Sequence, residues 1–166
     1  MNRIDSKIIM LNYIFVTSED TVLIEKVYEI LDACGTQMYS DLGLNHWIPA
    51  YPADAIKKDC EDKFVVLTWD TESKSYTSTF QMYLTEDRNL YIRKVATRPN
   101  LYGKGVGRKN LAFIADFAMK MGAAKICLDV YDKSENAISF YKKDGFVVTG
   151  KQKTRRFEVL LMEKVL

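Results

Sequence analysis

Hydrophobic and polar positions follow two different periods along the first forty residues of the chain. The apolar, β-branched and aromatic run Ile8–Val16 predicts a strand. Apolar residues then recur at helical spacing over Leu23–Cys34, which predicts an amphipathic helix. We expect Thr17 or Ser18 to cap the start of this helix and Gly35 to end it.

The remaining pattern predicts an alternation of strands and helices. The predicted elements are a helix at 52–61, strands at 64–69, 76–84 and 90–97, a helix from about 105 to 122, a strand at 125–131, a helix at 134–143, and a hairpin at 146–149 and 157–163. A run of antiparallel strands that leads into a β-α-β-α unit predicts an α/β (α+β) fold. Its central sheet should be mixed, mostly antiparallel, of about seven strands and flanked by about four helices.

Length and composition are those of one globular domain spanning residues 1–166. Hydrophobic residues make up 48% of the 166 residues and charged residues 28%, which are ordinary values for a folded domain. No repeat or low-complexity linker interrupts the chain, and its three prolines lie at connections. Disordered and fibrous classes are therefore excluded.

Charge is nearly balanced overall but unevenly distributed. The net charge is +2, whereas a dedicated nucleic-acid binder is usually clearly basic. Residues 98–120 contain five basic residues and one acidic residue, and residues 142–166 contain seven basic and three acidic residues. Local basic patches on a weakly charged protein indicate a compact anionic ligand rather than a long polyanion.

The cysteines indicate a reducing compartment. Cys34, Cys60 and Cys127 are odd in number and include no Cys-x-x-Cys pair, so neither a disulfide framework nor a zinc site is implied. We see no signal peptide and no apolar run long enough for a membrane span, and expect a cytoplasmic protein. The three thiols are expected to be buried and without a chemical role.

A glycine cluster between the strand at 90–97 and the next helix carries the strongest chemical signal. Glycines at 103, 105 and 107 allow main-chain N–H groups to point toward a ligand, and the helix N-terminus adds partial positive charge. Lys104 and Arg108 add full charges, which predicts a phosphate or pyrophosphate site. The spacing Gly-x-Gly-x-Gly matches neither the dinucleotide-binding fingerprint nor the P-loop pattern.

Two motifs in this part of the chain resemble the GNAT family of N-acetyltransferases. Residues Tyr102–Gly107 resemble the family pattern Gln/Arg-x-x-Gly-x-Gly/Ala, with Tyr102 in place of the Gln or Arg. Residues Asn136–Phe146 resemble its Asn-x-x-Ala-x-x-Phe-Tyr-x-x-x-Gly-Phe stretch. The resemblance extends over residues 90–164, and the segment around Asn45–Pro52 is similar to some small bacterial members.

The resemblance implies acetyl-CoA as the cosubstrate and no metal. Main-chain groups of Val95, Ala96 and Thr97 would pair with the pantetheine arm in the manner of an added strand. The implied cofactor-binding residues around the pyrophosphate are Tyr102, Gly103, Lys104, Gly105, Val106, Gly107 and Arg108, and Asn136 would hydrogen-bond the cofactor.

Tyr141 is the residue that the resemblance places near the thioester sulfur. The departing thiolate needs a proton or a hydrogen bond, and a tyrosine with a pKa near 10 would lose about 2 kcal/mol in a complete transfer to a thiolate of pKa about 8.5. We therefore expect Tyr141 to act through a positioned hydrogen bond. Its competing interpretation is an ordinary core aromatic residue, since it shares a helix face with Ala137 and Ile138.

The acceptor side is less well determined by the sequence. Trp47, Tyr51 and Arg93 are candidates for the substrate pocket, although aromatic residues between two prolines also serve to anchor loops. The general base is left open among His46, Asp129, Glu86 and Asp87 or a chain of water molecules, since an amine of pKa about 10.4 must lose a proton before it attacks.

The predicted function is therefore direct transfer of an acetyl group from acetyl-CoA to a primary amine. The acceptor stays open among a small amine, an amino acid, an antibiotic and a peptide N-terminus, and neither nucleic acid nor membrane is expected as a partner. The alternative is a non-catalytic module that binds coenzyme A as a sensor or partner domain. Dimerisation through the final hairpin or a sheet edge is left open.

One group of basic residues has no role in the predicted acetyl transfer. Lys151, Lys153, Arg155 and Arg156 are interpreted as a solvated hairpin turn. The other interpretation is that they receive the 3′-phosphate of the cofactor or an acidic acceptor.

Overall fold

The computed structural model describes residues 9–166 as seven strands and four α-helices with one 3-10 turn. Ile8, the first residue of the predicted opening strand, lies outside the described residues. The elements are β1 (Leu11–Val16), α1 (Thr21–Leu42), α2 (Ala53–Asp62), β2 (Phe64–Asp70), β3 (Ser75–Leu84), β4 (Leu90–Thr97), a 3-10 turn (Pro99–Leu101), α3 (Val106–Lys120), β5 (Lys125–Tyr131), α4 (Glu135–Lys143), β6 (Val147–Lys153) and β7 (Glu158–Val165).

The seven strands form one mixed sheet in the order β1-β2-β3-β4-β5-β7-β6. Every neighbouring pair is antiparallel except β4 and β5, which are parallel. Helix α3 connects these two parallel strands, as a parallel connection requires. The predicted fold class is confirmed.

Each face of the sheet carries its own hydrophobic core. On one face, α3 and α4 cover a cluster that includes Phe80, Ile114, Ile126 and Met162. On the other face, α1 and α2 cover a second cluster, to which Ile30 and Ile56 contribute fully buried side chains. Strand β4 supplies apolar side chains to both clusters, Leu90 and Ile92 to the first and Ala96 to the second, because an extra residue between Arg93 and Ala96 changes the face toward which the buried residues point.

The prediction that Gly35 ends helix α1 is wrong. The helix continues to Leu42, and Gly43 provides the left-handed residue after its end, with φ of 68°. Gly35 is needed for a different reason: a Cβ atom there would lie 2.7 Å from the main-chain oxygen of Trp47. The predicted cap is also wrong, because the helix begins after Asp20, whose carboxylate accepts hydrogen bonds from Thr17.

The final hairpin differs from the predicted one. Strand β6 runs to Lys153 instead of ending at Thr149, so Lys151 and Lys153 lie in a strand and only Arg155 and Arg156 lie in the turn. The alternating polar residues of β6 obscure its strand pattern because this edge strand is exposed along almost its whole length.

None of the helices within residues 9–166 is long and apolar enough to cross a membrane.

A candidate active site where strands β4 and β5 separate

The two parallel strands at the centre of the sheet stay together over only two residue pairs. Leu90 pairs with Ile126 and Tyr91 with Cys127, and beyond them β4 continues to Thr97 with no further pairing to β5. A bulge adds one residue to β4, since Ala96 lies opposite Thr79 while Arg93 lies opposite Gln81. The main-chain groups of the last β4 residues therefore face an opening in the sheet.

Lys94 is the residue at this bulge, and its side chain is anchored on the α2 side of the sheet. Its φ is 49°, an uncommon backbone conformation for a residue with a side chain. Its ammonium lies 2.7 Å from Oδ2 of Asp59 in α2 and 3.4 Å from the ring centroid of Tyr51. The side chain is only 5% exposed, so strand β4, helix α2 and the connection before α2 meet at one buried charge.

Asp59 is held in its charged form within this buried cluster. Burial pushes its pKa upward, but hydrogen bonds from Lys94 and Gln81 outweigh burial, so the pKa of Asp59 stays below its usual value. The amide of Gln81 donates to the same carboxylate oxygen at 3.0 Å. Lys63 lies 3.5 Å from the other oxygen. The bulge of β4 is thus stabilised by an ion pair rather than by a glycine.

The glycine turn has the geometry of an anion site. Gly103 and Gly105 have positive φ values of 76° and 86°, and no atom lies within 4 Å of a Cβ built at either position. Helix α3 begins at Val106 with no side chain capping it, so the first N–H groups of the helix have no intrahelical partner. Lys104 and Arg108 are exposed beside these groups.

Helix α4 packs directly on the first turn of α3. A Cβ atom on Gly107 would lie 2.9 Å from the ring of Phe140, so a larger residue there would displace that ring. The next residue, Tyr141, is 8% exposed and lies in the same hydrophobic cluster that Val95 packs against. Burial raises the pKa of Tyr141, which keeps its hydroxyl protonated. Asn136 is exposed in the first turn of α4.

Tyr102 and Cys34 connect the glycine turn to helix α1. The Cys34 thiol donates a hydrogen bond to the carbonyl of Thr97 at 2.9 Å, and the Tyr102 hydroxyl lies 4.0 Å from the same sulfur. The expectation that all three cysteines are buried is wrong, because Cys60 and Cys127 are half-buried and only Cys34 is buried. The side chain of Tyr102, which replaces the Gln or Arg of the family motif, is therefore directed toward α1.

Aromatic side chains from three separate segments meet around His46. The His46 ring lies 3.8 Å from the ring of Tyr131 in β5, 5.3 Å from Phe157 in the final hairpin and 5.8 Å from its neighbour Trp47, measured between centroids. Both ring nitrogens of His46 are buried, and no residue in the described range 9–166 forms a hydrogen bond with either of them. Burial lowers the pKa of His46 to about 4, so the ring is neutral near pH 7.

The acidic residues that the sequence suggests as general bases lie at different distances from the opening. Asp129 is exposed on β5, in the stretch where β5 has left β4, and its carboxylate adds to burial in raising the pKa of Tyr91. Arg93 precedes the bulge on β4. Glu86 and Asp87 lie in the β3–β4 turn, at least five strand residues or about 16 Å from Val95. The two turn residues are therefore too distant to act on an acceptor at Val95.

Within residues 9–166, no group of three or more histidine, cysteine, aspartate or glutamate side chains is arranged to hold a metal ion.

The sequence did not identify Lys94, Asp59 or Tyr131 as part of this region. One signal was available: in Leu90–Thr97, two consecutive charged residues break the alternation of a strand, which is typical of a bulge. The ring contacts of Tyr131 depend on three distant segments and left no local pattern.

The sequence and the fold both match known acetyltransferases. A sequence model described as the acetyltransferase (GNAT) family matches residues 24–146. The chain is 34% identical over 68 residues to streptothricin acetyltransferase of Streptomyces lavendulae, which covers 41% of this chain and 36% of that protein. It is 31% identical over 58 residues to thialysine N-epsilon-acetyltransferase of Bos taurus, covering 35% of this chain and 34% of that protein. The chain thus matches about a third of the length of these relatives.

Two solved structures share the fold over nearly the whole chain. The ribosomal-protein-S18-alanine N-acetyltransferase of Escherichia coli superposes with a TM-score of 0.73 at 16% identity, covering 94% of both chains. The PaiA N-acetyltransferase of Thermoplasma acidophilum, solved in complex with coenzyme A, gives a TM-score of 0.72 at 19% identity and covers 95% of this chain and 99% of that chain.

Proposed function

Because the chain belongs to the acetyltransferase (GNAT) family, we propose that it transfers the acetyl group of acetyl-CoA to the primary amine of an acceptor, by direct attack while both substrates are bound. The observation that carries this proposal is the opening between β4 and β5, which leads to a glycine turn with free N–H groups. The resemblance inferred from the Tyr102–Gly107 and Asn136–Phe146 motifs is confirmed at the level of the family.

The residues present fit a coenzyme that carries a pyrophosphate. The first N–H groups of α3, together with Lys104 and Arg108, offer donors and positive charge to that group. Ala96 and Thr97 pair with β3 on one side, and the Thr97 carbonyl accepts from Cys34. On the side toward β5, the main chain of Val95–Thr97 has no partner strand and offers the hydrogen-bonding groups of a strand edge to the pantetheine arm. Acetyl-CoA supplies the acetyl group as a thioester.

The chain's own groups then favour the transfer at two points. A main-chain N–H of β4 beyond the bulge stabilises the negative charge that develops on the carbonyl oxygen during attack. The Tyr141 hydroxyl donates a hydrogen bond to the departing sulfur, and because burial raises the pKa of Tyr141, complete proton transfer is less favourable than from an exposed tyrosine. Tyr141 therefore acts as a hydrogen-bond donor.

Removal of the proton from the acceptor ammonium is assigned to Asp129 through a water molecule. Of the four candidate bases, Glu86 and Asp87 are too distant, and both ring nitrogens of His46 are buried without a hydrogen-bond partner within residues 9–166, so they are not accessible to a water molecule from solvent. Asp129 is exposed beside the opening and lies close to the hydroxyl of Tyr91.

A thermal shift followed by a panel of amines tests the proposed function. Acetyl-CoA at 100 times its Kd should stabilise the protein by about 2.7 kcal/mol, which corresponds to a rise in Tm of about 5–11 °C for a chain of this length. Release of free thiol from acetyl-CoA should then depend on an added amine. No thermal shift would contradict coenzyme binding altogether.

A shift without amine-dependent thiol release would contradict transfer and favour the non-catalytic coenzyme-binding module. Acetyl-CoA without amine is the control, because slow hydrolysis also releases thiol. Mass spectrometry of the acetylated amine distinguishes transfer from hydrolysis.

A further inference from the structure

A groove of about 370 Å³ lies beside the candidate active site, between the β5–α4 connection and the turn of the final hairpin. Tyr131 and Phe157 line the end nearest His46, and Leu44 from the connection after α1 is also part of its wall. The rest of the lining is dominated by charged side chains.

Basic side chains outnumber acidic side chains in the lining of this groove. Lys133, Lys153, Arg155 and Arg156 line the groove, and none of them forms an ion pair with another residue of the described chain. All four side chains are exposed.

The two carboxylates in the lining, Asp132 and Glu158, form ion pairs with Lys151. Lys151, which is not part of the lining, lies 2.9 Å from Glu158 and 3.9 Å from Asp132. Hydrogen bonding to Lys151 keeps the pKa of Glu158 below its usual value, so this carboxylate is charged and paired. Lys153 lies opposite Glu158 in the β6–β7 ladder, and its charge also helps to lower the pKa of that carboxylate. Within residues 9–166, the groove is therefore left with three cations that have no anionic partner: Lys133, Arg155 and Arg156.

Hydrogen bonds hold both walls of the groove in place. In the hairpin turn, the Thr154 hydroxyl donates to the carbonyl of Phe157 at 2.9 Å and accepts from its N–H at 3.1 Å. The N–H of Asp132 donates to the carbonyl of Glu158 at 3.1 Å, which ties the two walls together. Arg155 and Arg156 are thus fixed at the tip of a closed turn rather than on a long loop.

The groove begins level with the reactive end of β4. From the Tyr91–Cys127 pair, and with the one-residue bulge counted, Val95 is level with Val130, the neighbour of Tyr131. Asp129 lies on the same strand, at the opposite side of Tyr131 from Lys133. The negative charge of Asp129 near the opening and the positive charge of Lys133 in the groove form two ends of one path. They are four residues apart and β5 ends at Tyr131, so their separation along the chain is at most roughly 14 Å.

We infer that this groove binds an anionic group, a phosphate or carboxylate, carried by the same small acceptor whose amine is acetylated. The inference rests on the proposed function, since it names the class of acceptor. Guanidinium groups form two parallel hydrogen bonds with either anion, which gives Arg155 and Arg156 the suitable geometry. The ammonium end of such an acceptor would face Asp129.

Matched pairs of amines test the inference. 8-Aminooctyl phosphate is compared with 8-amino-1-octanol, and 8-aminooctanoate with octylamine, so that one arm tests phosphate, the other tests carboxylate, and both anionic amines are long enough to reach the groove from the opening. The anionic member of at least one pair should have a KM about tenfold lower, corresponding to about 1.4 kcal/mol of binding free energy. Because the cations are exposed, this preference should decrease as salt is added.

The double variant R155Q/R156Q assigns the preference to the groove. It should raise the KM of the anionic amine about tenfold, while the KM of the neutral amine, the KM of acetyl-CoA and Tm stay unchanged. The matched control is K57Q/K58Q, which removes the same charge from exposed positions of helix α2 and should leave the preference intact.

The outcomes separate this inference from the proposed function. If neutral and anionic amines are acetylated equally well, or R155Q/R156Q affects both equally, the inference is wrong and the transfer stands. If no amine is acetylated, the proposed function fails, and calorimetry with protein saturated with coenzyme A still tests the groove. Absence of 8-aminooctyl phosphate and 8-aminooctanoate binding there would overturn the inference, whereas binding that R155Q/R156Q abolishes would support it.

Discussion

Replacement of Lys94 by methionine tests whether a buried ion pair holds the bulge of β4 in place. Methionine keeps most of the length and apolar surface of the lysine chain but removes the charge that lies 2.7 Å from Asp59. The Asp59 carboxylate, with only 13% of its side chain exposed, would keep the hydrogen bond from Gln81 and the more distant Lys63. We expect K94M to be folded but clearly destabilised.

The expected loss can be estimated from the geometry. Removal of one partner of a buried ion pair costs about 3–5 kcal/mol, and the contacts that remain at Asp59 favour the lower end. The contact between the Lys94 ammonium and the Tyr51 ring contributes roughly 1–2 kcal/mol more in a partly desolvated setting. A total loss of about 4 kcal/mol lowers the Tm of a chain of this length by about 8–16 °C.

Urea denaturation of a double-mutant cycle measures the coupling. The cycle compares K94M, D59N and K94M/D59N, since asparagine keeps an acceptor for Gln81 without the charge. The double variant should be less destabilised than the sum of the single variants by more than about 0.5 kcal/mol. Additive single effects would refute the reasoning, because they would show that the two side chains do not stabilise each other.

The same pair predicts a dependence on pH. The folded pKa of Asp59 lies below its unfolded value, so its contribution to the free energy of unfolding is complete above the unfolded pKa of about 3.9 and is lost as the pH falls through the folded pKa. K94M should lack most of this loss below pH 4, roughly. The exposed variant Lys58→Met serves as the control for a lysine that forms no ion pair within residues 9–166.

Three further predictions concern the site itself. Tyr141→Phe should lower kcat about 100-fold without changing the Kd of acetyl-CoA, and steady-state kinetics that show unchanged turnover would remove Tyr141 from the mechanism. Gly105→Ala places a side chain at a φ of 86°, so strain of about 1–2 kcal/mol should weaken acetyl-CoA binding in calorimetry, and an unchanged Kd would contradict the role of this turn. In the folded protein the pKa of His46 is about 4, below its usual 6.5. As the pH drops from 6.5 toward 4, the unfolded chain therefore binds the proton first, and the free energy of unfolding should fall. His46→Phe should flatten this part of the pH profile, and an equally steep profile in the variant would show that His46 is not its source.

Strands and helices that are bounded by turn-forming residues were predicted well from the sequence. Strands β4 and β5 have the predicted bounds, because Arg98-Pro99 follows the first strand and a polar connection with Ser134 follows the second. The glycine turn, whose positive φ values the structure shows, was predicted from a motif that is local in the chain. The role of Tyr141 rests on a local motif as well and stays a prediction. For these parts, neighbouring residues are enough to specify the structure.

The errors arise where tertiary contacts decide the outcome. Gly35 has the local pattern of a helix end, but it serves the close approach of Trp47, a residue that no periodicity connects to it. The pairing of Lys94 with Asp59 joins residues 35 positions apart in the chain. The groove beside Tyr131 depends on the hairpin turn folding back over the β5–α4 connection, which the sequence pattern does not contain.

The short contact between β4 and β5 has a mechanical consequence for turnover. The sheet consists of a four-stranded and a three-stranded half, and within it the halves are joined by only two residue pairs. Under the proposed function, a bound coenzyme that pairs with Val95–Thr97 spans part of this seam and becomes a structural member of the sheet. When the product coenzyme dissociates, these main-chain contacts between the two halves of the sheet are lost. Product release, the last step of the cycle, therefore also makes the sheet less rigid.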